Sequence, residues 1–421
     1  MIKMKILYIA FNNPATENII SGMHDENLAG LPALYYPFKM LLDRGHTIDL
    51  LLLTYQPNRP FVESEHFKRD HFFPVQLPED GGVKGKLNLI RTISSATAER
   101  LKERKYDFVY GLGEGAIIGV IEAHKRGIPC AYRQFGTYND FEHGVRARKT
   151  VLGRRIESFL HHTYAYIPMR AKMAFLLNTN DGSHQDLLFD MMKIKKHFKY
   201  FFWRSGIRMP SERQEIVRDV DKQYPEAFDP TALVQISRYS HEKRQIRSVK
   251  ILGELHRRGH AMHLYFVGNA FDENAQKTLL AEAEKWGVQS CVHFEGRQPQ
   301  DRAWMYSRHA LACLMPNESG LVNVFYENLA QGNAIVAAKT STLDEYLQNG
   351  VNGFQFSTEE EAADYIEQML SDEDAYWHLR SNAYDTAQEK VLSIEKRFGM
   401  EVDLIEDVAN GRPIDKYPER I

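Results

Sequence analysis

The chain has 421 residues, 43% of them hydrophobic and 26% charged, with a net charge of −3. This is a globular composition; the length asks for two domains rather than one core, and the charge excludes nucleic-acid binding driven by overall positive charge. Cys130, Cys291 and Cys313 are odd in number and widely spaced, which argues against a disulfide or zinc framework and fits a reducing compartment.

The N-terminal apolar run is too short for a secretory signal. No apolar stretch reaches the ~20 residues of a membrane span, so the expected location is the cytoplasm. Residues 6–11 are continuously apolar, as expected of a strand buried on both faces of a parallel sheet. Residues 32–42 have helical spacing and stop near Gly45. Residues 47–54 (TIDLLLLT) form the next strand, so the chain opens as a βαβ unit. Further strands are expected at 106–110, 128–132, 174–177 and 200–203, with a helix at 116–125. Residues 211–229 are polar and poor in large apolar side chains, which suits an interdomain linker. The alternation then restarts. Strands are expected at 232–236, 263–267, 291–294, 310–315 and 334–338, with helices at 245–258, 272–286, 300–309, 321–331 and 343–347. Residues 358–392 and about 394–410 read as further helices. Two βα arrays in succession imply an α/β protein of two doubly wound, Rossmann-like domains facing across a cleft.

Three constellations follow strands. Residues 110–119 (YGLGEGAIIG) place glycines between a strand and a helix. Their spacing is not G-x-G-x-x-G, and they follow a late strand, which favours a tight turn over a dinucleotide site. Ser237–Lys243 (SRYSHEK) directly follows the strand at 232–236. Arg238 and Lys243 either converge there on one anion, as a fork and a point charge suit a diphosphate, or form a solvated basic turn. In a helix begun at Leu321, Asn323, Glu327 and Gln331 share one face, beside an apolar stripe of Leu321, Phe325 and Leu329. The amides of Gly320, Leu321 and Val322 would then favour an anion. Glu327 either accepts hydrogen bonds from a ribose diol or is an exposed acid.

Taken together, these motifs resemble the retaining GT-B glycosyltransferases of glycosyltransferase family 4. The resemblance rests on Ser237-Arg238-(x4)-Lys243, a strand ending Val267-Gly268, Val292-His-Phe-Glu-Gly296, the stretch Ser319–Gly332, and Asp344-Glu345-(x4)-Gly350-Val-Asn352-Gly353. It spans roughly 230–357. It implies a GT-B enzyme of the hexosyltransferase class. Residues 1–210 would be the acceptor-side domain, 211–229 the linker and 230–393 the nucleotide-sugar domain, with the C-terminal helix within 394–421 crossing back. Arg238 and Lys243 would neutralise the donor diphosphate, and Glu327 would hold the ribose. Gly268, Glu295, Gly296 and Arg297 would lie near the donor, and Ser319, Gly320, Leu321, Val322 and Asn323 would touch its sugar or phosphate. No metal or other cofactor is implied; the strings Asp219-Val-Asp221 and Asp372-Glu-Asp374 read as solvated charge.

Two places depart from the family pattern. Counting back from Glu327, the first of the family's two acids falls on Ser319, with Glu318 one residue early; Glu318 is retained as the candidate catalytic acid. Phe135 stands where the family often has a histidine against the donor sugar, and Arg133, Gln134 or Tyr138-Asn139 could substitute. Asn12 and Asn13, after the first strand, are further substrate-binding candidates. These departures leave two alternatives open: a nucleotide-sugar-binding scaffold, or a GT-B sugar-nucleotide epimerase.

Residues 143–210 carry 13 Lys/Arg against 4 Asp/Glu, interleaved with aromatics. They read either as an interfacial surface for anionic lipid or a phosphate-rich acceptor, or as solvated helical faces beside a buried strand. The expected partners are therefore a nucleotide-sugar donor and a glycan, lipid-linked or small-molecule acceptor, with peripheral membrane contact through 143–210 and no nucleic acid.

Overall fold

The structure is a computed structural model that describes residues 3–23, 31–79, 81–135, 139–182, 185–210, 232–270, 272–317 and 321–421. The expected linker at 211–229 lies outside the described residues. The chain divides into two units, Met1–Ser205 with Ile394–Ile421, and Gly206–Ser393.

The first apolar run becomes β1 (Lys5–Phe11) because both of its faces are covered. Ile6, Tyr8 and Ala10 enter one core, and Leu7 and Ile9 enter the opposite one, as the two-residue period of a strand requires. The remaining strands of the first unit are β2 (Thr47–Thr54), β3 (Phe72–Gln76), β4 (Phe108–Leu112), β5 (Cys130–Gln134), β6 (Phe175–Thr179) and β7 (Lys199–Trp203). All pair in parallel, in the order β3-β2-β1-β4-β5-β6-β7. Helices α1 (Pro14–Ile20), α2 (Pro32–Asp43), α3 (Gly82–Glu103), α4 (Ala116–Lys125), α5 (Asn139–Ala147), α6 (Val151–His161), α7 (Thr163–Arg170) and α8 (Gln185–Met191) connect them.

The second unit repeats the plan. It runs β8 (Leu233–Ile236), α9 (Gln245–Arg257), β9 (Leu264–Val267), α10 (Glu273–Lys285), β10 (Val292–Gly296), α11 (Gln300–His309), β11 (Ala312–Met315), α12 (Asn323–Ala330), β12 (Ile335–Ala338), β13 (Phe354–Phe356), α13 (Glu359–Ser371) and α14 (Glu373–Lys390). Its sheet is also parallel, ordered β10-β9-β8-β11-β12-β13. The last helix, α15 (Ile394–Ala409), belongs to the first unit. Each sheet reverses its strand order once, between β1 and β4 and between β8 and β11. Ligands of such sheets lie outside the carboxyl ends of the strands at that reversal.

Several expectations shift. Residues 343–347 form turns rather than a helix, and α12 starts at Asn323, two residues later than expected. Among the elements that the spacing did not announce are β3, α1 and α3. The edge strand β3 carries Pro74, which an edge tolerates because the missing amide needs no partner there. α1 is a short helix capped by Asn13, whose side chain accepts from Ala15 N at 2.6 Å. α3 is long but begins with two glycines within its first four residues.

The glycines in and after β4 are close-packing residues. A Cβ on Gly111, Gly113 or Gly119 would meet Val120 at 2.5 Å, Phe11 at 2.2 Å or Ile9 at 2.3 Å. The segment is the tight strand–helix turn that its spacing favoured.

Candidate functional site

The second unit gathers the sequence motifs at one end of its sheet. Ser237 follows β8, and its amide donates to the Val267 carbonyl (3.0 Å). Gly268 follows β9 at φ +153°, and a Cβ there would lie 2.0 Å from the Ser237 carbonyl oxygen. Only glycine allows that approach. The Gly268 amide donates to the Gly296 carbonyl at the end of β10 (2.8 Å), and the Tyr239 amide donates to the Asn269 carbonyl (2.9 Å). The ends of β8, β9 and β10 are thereby held side by side.

The loop after β8 is pinned from beneath by two buried glutamines. Gln235 Nε2 donates to the Lys243 carbonyl (2.8 Å), while its oxygen accepts from Ser248 (2.7 Å). Gln245 Nε2 donates to Ser237 Oγ (3.0 Å) and to the Arg238 carbonyl (2.9 Å). A buried amide must be satisfied, and here satisfying it fixes the backbone of the loop. The Arg238 side chain remains exposed and pairs with Glu242 (2.8 Å); Lys243 ends a short 3-10 turn (His241–Lys243) and is half-buried. Sequence reasoning had passed over both glutamines. The detectable signal was Gln235 itself, a polar residue inside the apolar strand Leu-Val-Gln-Ile.

At β10, Glu295 accepts a hydrogen bond from the Tyr306 hydroxyl (2.5 Å), and its carbonyl accepts from Gln298 (2.5 Å). Burial, with the Glu295 carboxylate adding to it, pushes the Tyr306 phenol up to about 12. Gly296 and Arg297 are exposed. The chain then enters α11, whose Gln300 donates to Glu327 on α12 (3.2 Å). Arg308, two turns on, donates to Gln331 (2.9 Å). The face of Asn323, Glu327 and Gln331 thus lies against α11, and the stripe of Leu321, Phe325 and Leu329 is buried in a core with Met315, Ile335 and Tyr346.

Glu327 is half-buried. Burial raises its carboxyl above the usual carboxylate range, opposed by the Trp304 indole and the Gln300 amide. Because α12 begins at Asn323 with Val322 as its cap, the amides of Asn323 and Val324 stand at its N-terminus. Leu321 is buried and packs in the core; Val322 and Asn323 are half-buried. Glu318, Ser319 and Gly320 lie outside the described residues. One contiguous path therefore joins the Arg238 loop, Gly268, Gly296, Glu295, Gln300 and Glu327. Chemically it offers cations and amide donors suited to an anion and a carboxylate suited to hydroxyl groups.

In the first unit, Asn12 and Asn13 are half-buried just past β1. Asn13 caps α1, and Asn12 lines a cavity of about 330 Å³. Tyr138 lies outside the described residues. Arg133 corrects its expected role as a surface ligand for substrate. It is wholly buried, paired with the buried Glu401 of α15, which also accepts from Tyr110 Oη (2.7 Å) and Arg397 Nη1 (3.1 Å). Gln134 is likewise buried, its oxygen accepting from Gln185 (2.8 Å). Both side chains serve the core because β5 is covered on both faces.

Among the described residues, no group of three or more His, Cys, Asp or Glu could hold a metal ion, and no helix is long and apolar enough to cross a membrane. Asp372, from one of the two D-x-D strings, caps α14 by accepting from Ala375 N (2.9 Å); the other string, at 219–221, lies outside the described residues.

Residues 217–386 match the family model of glycosyl transferases group 1. No curated protein matches the sequence. The chain resembles the solved structure of sucrose-phosphate synthase (tll1590) from Thermosynechococcus elongatus, at 13% identity and a TM-score of 0.68, over 97% of this chain and 100% of that one. It also resembles WaaG, a glycosyltransferase involved in lipopolysaccharide biosynthesis, at 16% identity and 0.63, over 95% and 99%. Anabaena Alr3699/HepE in complex with UDP-glucose aligns at 17% and 0.60, over 95% and 98%. These likenesses show the GT-B fold, two Rossmann-like domains.

Proposed function

We propose, from a second unit that carries a glycosyltransferase group 1 domain of the EC 2.4 class, that this protein is a metal-independent, retaining transferase. It moves a sugar from a nucleotide-diphosphate sugar to a glycan, lipid-linked or small-molecule acceptor, in the cytoplasm and in peripheral contact with membrane through residues 143–210. The observation that carries the reading is the hydrogen-bonded path from Arg238 through Gly268 and Gly296 to Glu327, at the carboxyl ends of four strands beside the order reversal. That the structural relative Alr3699/HepE is seen with UDP-glucose agrees with such a donor.

In this reading the donor diphosphate meets Arg238 and Lys243, with the Asn323 and Val324 amides as further donors. Negative charge develops on the leaving diphosphate, and these groups stabilise it without any protein base. The freed phosphate oxygen takes the acceptor proton. Arg238 must exchange its Glu242 partner for the phosphate, so the site is charge-balanced before the donor arrives. Glu327 accepts from the ribose hydroxyls. The roles of Glu318, Ser319 and Gly320 toward the donor sugar rest on the sequence motif, and Gly268, Glu295, Gly296 and Arg297 lie around the nucleotide.

The test is calorimetry with UDP, ADP, GDP and UDP-glucose, with and without EDTA. One nucleotide is expected to bind regardless of EDTA, and Arg238→Ala and Glu327→Ala are each expected to weaken it more than about tenfold, or roughly 1.4 kcal/mol. Full affinity in both variants would place the nucleotide elsewhere.

A further inference from the structure

The first unit carries a cavity of about 330 Å³ beyond the carboxyl ends of β1 and β2. Its apolar wall is built by Leu53, Leu77, Leu89 and Ile93, and its polar rim by Asn12, Arg59, Glu114 and Tyr164. Two of the rim residues carry buried polar atoms with no hydrogen-bond partner, Tyr164 Oη and Arg59 Nε, the Arg59 Nη atoms being held by Glu17 (2.8 Å) and Gln56 (2.7 Å). The Tyr164 phenol is raised first by burial and then by the fields of Tyr55 and Glu114, which line the same cavity. Unpartnered polar atoms at a cavity rim are what a ligand's polar groups would satisfy. A bare sugar fits such a cavity poorly, because its hydroxyls would find no partners against the aliphatic wall.

The surface beside the cavity is also apolar. On α6, Leu152, Ile156, Phe159 and Leu160 are 68%, 50%, 55% and 55% exposed and fall on one helical face. Leu87 on α3 is 50% exposed, and Lys86 next to it donates to the Leu160 carbonyl (3.1 Å), so α3 and the end of α6 adjoin. From there α3 reaches the cavity through Leu89 and Ile93, and the chain after Leu160 reaches it through Tyr164. Lys84, Lys86 and Lys149 are exposed on the same two helices or the turn between α5 and α6, a cationic rim suited to an anionic bilayer, while Arg148 beside them is paired with Glu157 (2.5 Å).

Given this continuity of stripe and cavity, we infer that the acceptor is an amphiphile, taken from an anionic membrane surface. The stripe on α6 and α3 rests in the interface, the aliphatic part of the acceptor lies against Leu53, Leu77, Leu89 and Ile93, and its hydroxylated head meets Tyr164 and Arg59. This inference rests on the glycosyltransferase reading and selects the lipid-linked class among the acceptors that reading allows.

The test uses the full chain and alkyl β-glucosides as probes. Binding of methyl, butyl, hexyl and octyl glucoside, below micelle formation, is followed by calorimetry. Affinity is expected to rise by up to about fourfold per buried methylene, and at least tenfold from methyl to octyl. Leu89→Gln should flatten that slope, whereas Tyr164→Phe should weaken all four probes alike and keep the slope. In a second arm, Leu87→Glu with Phe159→Glu, both on the exposed surface, should abolish co-sedimentation with phosphatidylcholine vesicles containing phosphatidylglycerol and leave octyl glucoside binding intact. Affinity independent of chain length, or a slope untouched by Leu89→Gln, would overturn the cavity assignment. Vesicle binding unchanged in the double variant, or a dimer by light scattering that the double variant dissolves, would overturn the interfacial one. Chain-length-dependent binding in a protein that binds no nucleotide would instead count against the glycosyltransferase reading alone.

Discussion

Replacing Gly268 by alanine tests how the donor loop is built. The new Cβ would lie 2.0 Å from the Ser237 carbonyl oxygen and 2.6 Å from its carbon. Those atoms are backbone, so no side chain can swing aside. Reaching an ordinary separation moves the Ser237 peptide by about an ångström or more, and Arg238 moves with it. The shift strains or breaks two strand-end hydrogen bonds, Ser237 N to Val267 O (3.0 Å) and Gly268 N to Gly296 O (2.8 Å). At about 1 kcal/mol each, with about 1–3 kcal/mol of backbone strain at φ +153°, the expected loss is about 3–5 kcal/mol. Gly296→Ala is the matched control. It also sits at positive φ (+65°), but its Cβ would enter open space, so it should cost only about 1–2 kcal/mol. Urea unfolding followed by tryptophan fluorescence reads the difference, since Trp286, Trp304 and Trp377 all lie in the second unit. Gly268→Ala should also weaken nucleotide binding beyond what Gly296→Ala does. Equal stability losses and equal nucleotide affinity in the two variants would refute the claim that this glycine sets the position of Arg238.

Glu327 should make stability depend on pH. Its folded carboxyl titrates above the unfolded value, so the protonated form is favoured by folding. That contribution is complete below the unfolded range near pH 4 and is lost as pH rises through the raised folded value. Glu327→Gln should therefore match or exceed the wild type in thermal stability at pH 7, approach it at pH 4, and lose nucleotide affinity; a variant clearly less stable at pH 7 would contradict this. Removing Glu401 leaves Arg133 and Arg397 buried without their carboxylate, and Glu401→Ala is expected to cost about 3–5 kcal/mol in urea unfolding. A loss under 1 kcal/mol would mean that the two guanidiniums find other partners. Gln245→Ala removes the amide that holds Ser237 Oγ and the Arg238 carbonyl. It should cost about 1–3 kcal/mol and weaken nucleotide binding, whereas Arg257→Ala, on the exposed end of the same helix, should leave that binding unchanged.

The apolar runs at 6–11, 47–54 and 334–338 were legible as parallel strands because a strand covered on both faces has no polar period to hide it. Helices at 116–125 and 300–309 kept their boundaries, since local spacing and end signals suffice for an amphipathic helix. The glycine cluster at 111–119 was legible as a turn from its spacing, though the rings and methyls that demand glycine are visible only in the packing. The N-terminal site candidates fared differently. Arg133 looks like a surface cation at a strand end, yet its partner Glu401 stands 268 positions away. No local period can announce such a pair, because a buried charge is settled by whichever helix covers the sheet.

Elements β3, β13, α1, α3, α5–α8 and the turns at 343–346 aside, then, the sequence by itself determined the order of strands and helices, the parallel character of both sheets and, to within two residues, the positions at which the chain leaves each strand. Those follow from local period, composition and turn chemistry. Only the tertiary structure decided which strand ends touch, that Gln235 and Gln245 hold the Arg238 loop, that α11 lies over Glu327, and that Arg133 belongs to the core. Each of these depends on close contact between residues far apart in sequence, where a distance of 2.0 Å or a missing partner sets the chemistry.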